Sequence, residues 1–95
     1  MTTMSDSKPG KDTDKQTYSV EVFAPRNPMD RRPFTWSKHL LVSEAAAQAA
    51  VVFGIQGGQP TLAKEGKALD RTKQLVAVGV RDHDVLEIVD AAGGV

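Results

Sequence analysis

The chain has 95 residues, twelve basic and twelve acidic side chains, no net charge at neutral pH and no cysteine. That length supports one small domain, close to the size at which apolar burial only just suffices. The missing cysteines exclude disulfides, thiolate catalysis, iron–sulfur clusters and cysteine-based zinc sites. The balanced charge argues against nucleic acid, whose binders carry a net basic surface.

Residues 1–16 are polar, carry Lys8, Lys11 and Lys15, and contain the breaker Pro9-Gly10. With almost no apolar side chain to bury, they read as a disordered arm. The opening residues lack the apolar core of a signal peptide, and no apolar run approaches the roughly 18 residues of a spanning helix. The expectation is a soluble, cytoplasmic protein, monomeric when free, with no membrane partner.

The first strand is expected where Tyr18, Val20, Val22 and Ala24 fall at every second position with polar residues between them, the period of a half-buried strand. Pro25 stops it, and residues 26–30, with Asn-Pro followed by Asp, read as the turn. A second alternating run, Phe34, Trp36, Leu40 and Val42, completes a hairpin, with His39 on its outward face. Arg26, Arg31 and Arg32 form a basic cluster that Asp30 interrupts, which reads as a solvated loop rather than a phosphate patch.

Ser43-Glu44 then opens a helix, serine as N-cap and glutamate suited to the positive first turn. Its alanine-rich body places Ala45, Ala49, Val52 and Phe53 on one thin apolar face, and Gly54 is set to end it. Residues 56–60 form a loop. Short strands follow: residues 61–63, a tight turn at 64–67, Leu69, and the apolar run 75–80. Residues 81–84 read as a turn, and the last strand covers 85–89, with Leu86 and Ile88 facing one way and Val85, Glu87 and Val89 the other. Hairpin, helix, then short strands make an α+β fold, one main helix on one face of a mixed four- to five-stranded sheet.

Residues 17–94, with their hairpin, single helix ending in Gly54-Ile55, turn at 65–70, a stretch at 71–89 like the family's short helical turn and last strand, and polar phrase at 80–86, resemble ubiquitin and the wider β-grasp family, with 17–90 as the folded domain. The stretch after the last strand, residues 91–95, ends in Gly93-Gly94-Val95 and reads as a flexible tail. In that family the terminal glycine carboxylate is adenylated with ATP, passed to an enzyme cysteine as a thioester, and then to an amine. The resemblance makes Gly93 and Gly94 the activation and conjugation residues, and the Gly94–Val95 bond the processing site. Glycine suits a narrow channel because it has no Cβ and tolerates unusual backbone angles. Ubiquitin's tail arginines are replaced by Asp90, Ala91 and Ala92, so a eukaryotic activating enzyme is expected to reject this chain. Of the family's recognition patch, Val89 is kept, while Ala63 replaces an isoleucine and Glu87 a histidine. Lys67 matches the lysine after the turn glycine, a site of chain building in ubiquitin.

These departures look more like bacterial ubiquitin-like modifiers, whose operons encode an adenylating activating enzyme, a conjugating enzyme and a processing peptidase. On that reading Ala63, Glu87, Val89, Ala91 and Ala92 meet partners, targets receive the chain, and no cofactor is bound beyond the ATP the activating enzyme consumes. Two alternatives stay open: a non-conjugated β-grasp interaction module, and a sulfur carrier ending as a thiocarboxylate. An enzyme is not expected. Asp82, His83 and Asp84 belong to a turn whose side chains splay into solvent, His39 has no second metal ligand beside it, and the glycines at 54–58 follow a helix rather than open one.

Overall fold

The structure, a computed structural model, describes residues 16–90. Strands β1 (Thr17–Ala24) and β2 (Asn27–Ser37) form the hairpin, and α1 (Val42–Phe53) follows. Then come β3 (Pro60–Lys64), β4 (Lys67–Ala68), a 3₁₀ turn (Val76–Val78) and β5 (Val85–Asp90). The sheet order is β2-β1-β5-β3-β4. The two central strands, β1 and β5, run parallel, and every other neighbour is antiparallel. This is the ubiquitin-like β-grasp arrangement, α+β with one main helix on a mixed five-stranded sheet.

The alternation in β1 holds: Tyr18, Val20, Val22 and Ala24 are buried. The turn is tighter than expected, only Pro25 and Arg26, and residues 27–30 already belong to β2. Register slips between Val22, which faces Arg32, and Ala24, which faces Asn27. The extra residues bulge out of β2, an edge strand, where Pro28 needs no ladder partner.

The second run does not extend to Val42. Ser37 ends the strand because its hydroxyl accepts the His39 N–H at 3.1 Å and its carbonyl accepts the Leu40 N–H at 3.0 Å, a local turn competing with the ladder. His39 therefore lies in that turn, its Nδ1 3.0 Å from Gln74 Oε1. Val42 is the first helical residue and is buried there. The N-cap is Leu41, not Ser43: Glu44 Oε1 accepts the Leu41 N–H at 3.3 Å. Two orphan amides of the first turn find distant carbonyls, Val42 N–H donating to Lys73 O at 2.8 Å and Ser43 N–H to Arg71 O at 3.1 Å. Tertiary contacts do the work a capping side chain does elsewhere. Gly54 closes the helix at φ 71°, as expected.

The buried helix face is Val42, Ala45, Ala46, Ala49 and Ala50. Phe53 is half-buried, and Val52, expected inside, is exposed. A face of alanines lets α1 approach the sheet closely, so the bulk of the core comes from elsewhere: Trp36, Leu62, Leu75, Leu86 and Ile88. Trp36 stacks on Phe34 with centroids 4.8 Å apart and donates its indole N–H to Gln48 Oε1 at 2.9 Å, tying the hairpin to the helix. Residues 75–80 are not a strand. Leu75 and Val80 plunge into the core on either side of the 3₁₀ turn, which Gly79 ends at φ 89°.

Among the described residues no helix is long and apolar enough to cross a membrane.

Candidate functional site

Strand register decides which residues share a surface, because paired residues point to the same side of a sheet. Leu62 pairs with Ile88, and Val22 with Leu86; all four are buried under the helix side. The residues between them face away from α1. One row crosses four strands: Phe23 is in register with Glu87, Glu87 with Ala63, and Ala63 with Ala68. The next row pairs Thr61 with Val89, and on the other side Glu21 is in register with Val85. Ala63, Glu87 and Val89, singled out in the sequence, thus stand together on the open face. Ala91 and Ala92, singled out beside them, lie outside the described residues, as do Gly93, Gly94 and Val95 and all of the 1–16 arm but Gln16, whose carbonyl accepts the Lys38 N–H at 3.0 Å.

That face is mostly apolar and small. Thr61 is fully buried because the segment after β4 roofs it: its hydroxyl donates to Leu69 O at 2.8 Å, and Arg71 Nε donates to Pro60 O at 2.9 Å. Ala63 is also buried, whereas Phe23, Glu87 and Val89 are half-buried and Val85 and Ala68 exposed. Lys64 and Lys67, one residue along from the alanines, point to the opposite side. Lys64 Nζ donates to Gly79 O at 2.7 Å and pairs with Asp84 at 2.9 Å, so it braces the last turn. Lys67 is exposed in the hairpin whose turn residues, Glu65 and Gly66, both have positive φ.

Beside Val89 the sheet end opens into a groove of about 480 Å³, lined among others by Ala24, Arg26, Ile55, Pro60, Ile88 and Val89. Sequence reasoning missed it. Its traces were the punctuating Pro25, Gly57-Gly58 and Pro60, which bring two loops to the end of β5. Asp90, the last residue of that strand, is held there: its Oδ1 accepts the Gln59 N–H at 3.2 Å. Gly58, at φ 68°, lies so close that an added Cβ would sit 2.9 Å from Asp90 Oδ2. The Asp90 side chain is therefore held against a loop that only a residue without a Cβ can bring so close.

The expected turn at 81–84 is present, but Asp82, His83 and Asp84 do not all splay into solvent: the Asp82 side chain is only 3% exposed because it binds the β1 backbone, and of the three only His83 stands out, at 80%. Asp82 Oδ1 accepts the Ser19 N–H at 2.7 Å, His83 donates its N–H to Ser19 O at 2.6 Å, and Asp84 Oδ2 accepts the Arg81 N–H at 2.8 Å. His83, at φ 72°, has Nε2 3.0 Å from Asp82 Oδ2. These bonds splice the turn onto β1 where the parallel pairing with β5 begins. Among the described residues no group of three His, Cys, Asp or Glu side chains could hold a metal ion.

The basic cluster is largely spent on intramolecular contacts. Arg32 makes two hydrogen bonds to Asp30, at 2.8 and 3.0 Å, and its guanidinium lies 5.4 Å from the Phe53 ring centroid. The hydrogen bond from Arg32 holds the Asp30 carboxyl below the usual range, and Asp30 in turn raises Arg32. Arg31 sits 3.8 Å from Glu21, and Arg26 lines the groove. Asp70 is likewise held low, first by the Thr72 hydroxyl and then by the Thr72 N–H, at 2.7 and 2.9 Å.

The fold is that of the ubiquitin-like β-grasp, and solved structures share it. A Caldiarchaeum subterraneum ubiquitin superposes with a TM-score of 0.68 at 15% identity, over 83% of this chain and 99% of that one. A designed protein based on ubiquitin gives 0.69 at 11% identity, over 83% and 94%. A chain described as a molecular mimic of SUMO that promotes DNA repair gives 0.67 at 14% identity, over 79% and 92%. No family model and no curated protein matches the sequence.

Proposed function

We propose that this chain is a ubiquitin-like protein modifier, cut after Gly94, activated with ATP at the freed glycine carboxylate, and joined to target proteins in the cytoplasm by a dedicated bacterial, operon-encoded system. The observation that carries the reading is a β-grasp body whose last central strand, fixed at Asp90, leads after two alanines into Gly93-Gly94. The chain is a substrate in this chemistry, not an enzyme. Hydrolysis of the Gly94–Val95 bond by a peptidase frees the carboxylate. That carboxylate attacks the α-phosphorus of ATP and releases pyrophosphate. An enzyme thiolate then displaces AMP, and a target amine displaces the thiol, leaving an amide at Gly94. Gly93 and Gly94 give nucleophiles unobstructed access. With Asp90, Ala91 and Ala92 in place of arginines, the adenylating partner reads the tail without basic side chains. Ala63, Glu87 and Val89 supply the surface for that partner, the conjugating enzyme and the peptidase.

The test is intact mass after incubation of the Gly94-ended form with ATP and the adenylating enzyme encoded beside it. An adenylate or a thioester at Gly94 is expected. Replacement of a terminal oxygen by sulfur selects the carrier reading instead, and an unchanged mass leaves the plain interaction module, which the open face and groove support without any tail chemistry.

A further inference from the structure

The row Phe23–Glu87–Ala63–Ala68 contains one charge, the carboxylate of Glu87. Among the described residues the Glu87 carboxylate makes no hydrogen bond or ion pair, although it is half-buried. The neighbouring acid, Glu21, already faces Arg31. Lys64 and Lys67, the basic residues nearest in register, project from the other side of the sheet. Its neighbours in register and along the strand are apolar or small: Phe23 on one side, Ala63 and Ala68 on the other, Val85 and Val89 along the strand.

A partner that covers this row removes water from a carboxylate. Without a compensating cation or donor that desolvation is heavily unfavourable. An apolar partner is therefore rejected, and an acidic one repelled. Small side chains, Ala63 and Ala68, flank the carboxylate on one side, and the half-buried Phe23 ring flanks it on the other. A guanidinium can meet the carboxylate with two parallel hydrogen bonds while its plane lies on the phenyl ring, which an ammonium cannot do as well.

We propose that this face docks a protein segment presenting an arginine to Glu87 and Phe23, with apolar neighbours seated over Ala68 and Val89. The proposal rests on the reading that this face meets protein partners, but it does not involve Gly93 or Gly94. The experiment pans a random peptide library against the full chain, then measures the enriched peptides by calorimetry and NMR. Enriched peptides are expected to share one arginine with apolar flanks and to shift the Phe23, Ala63, Ala68 and Val89 resonances. Glu87→Gln is expected to weaken binding about tenfold, as loss of a charged hydrogen bond does. Replacing the peptide arginine by lysine is expected to weaken it by a smaller factor. The melting temperature of Glu87→Gln, measured alongside, separates lost recognition from lost folding. Absence of enrichment, enriched peptides without a basic residue, a footprint in the groove instead of on the row, or binding indifferent to Glu87→Gln would overturn the proposal. Arginine-dependent binding in a protein whose Gly94 is never activated would refute the modifier reading alone.

Discussion

Replacing Leu62 by alanine removes a side chain with 0% exposure, on the helix-facing side of β3 and opposite Ile88. The rigid floor of alanines on α1 can move little to fill the space. A leucine-to-alanine change at such a site costs about 3 kcal/mol, within a usual range of about 2–5. For a domain of this size each kcal/mol lowers the melting temperature by about 4–8 °C, so the midpoint should fall by about 12–24 °C. Glu87→Gln, in the row next to it but on the open face, should change stability by less than about 0.5 kcal/mol. Thermal unfolding followed by far-ultraviolet circular dichroism measures both. Equal destabilisation by the two changes, or a larger effect at Glu87, would mean that the register is slipped by one residue and that the site lies on the wrong side of the sheet.

Gly58→Ala forces a left-handed backbone on a residue with a Cβ and pushes against Asp90; the expected loss is about 1–2 kcal/mol in urea unfolding, with faster hydrogen exchange at the Gln59 amide. Gln48→Ala leaves the buried Trp36 indole N–H without its acceptor and should cost about 1–2 kcal/mol, together with a shifted tryptophan fluorescence maximum. The Asp70 carboxyl should titrate by NMR below the ordinary carboxylate range because Thr72 hydrogen-bonds its charged form. Its folded value is depressed, so the stabilisation is present above the unfolded value and is lost as pH falls through the folded one; Thr72→Val should return the midpoint toward the usual range.

What was legible in the sequence was what is encoded locally. The period-2 patterns of β1 and β5, the αL glycine at position 54 and the turn at 64–67 each follow from side-chain alternation or backbone sterics within a few residues. The open face followed too, since the alternation in β5 assigns Glu87 and Val89 to one side. The failures share a cause. Leu40 and Val42 have the parity of a strand, but the segment is drawn into a turn and a helix by bonds to residues far along the chain: Leu75 N–H to Leu40 O at 2.9 Å, Val76 N–H to Lys38 O at 2.9 Å, and the Leu41–Gln74 bridge. The same bonds turn residues 75–80 from an expected strand into a core-anchoring 3₁₀ turn. The groove beside Val89 is built from three separate stretches of chain, so no single stretch announces it.

The central claim is conjugation through Gly94, and it has a distinctive chemical trace. Arg81 is the last basic residue of the sequence, so tryptic digestion of a conjugate leaves residues 82–94 attached through the Gly94 carbonyl to a target amine. Mass spectrometry of proteins from the source cells should reveal lysine-bearing peptides branched with that segment, absent when Gly94 is changed to alanine. If the chain accumulates with residues 82–95 recovered only as a linear peptide, still carrying Val95, the protein is not a modifier.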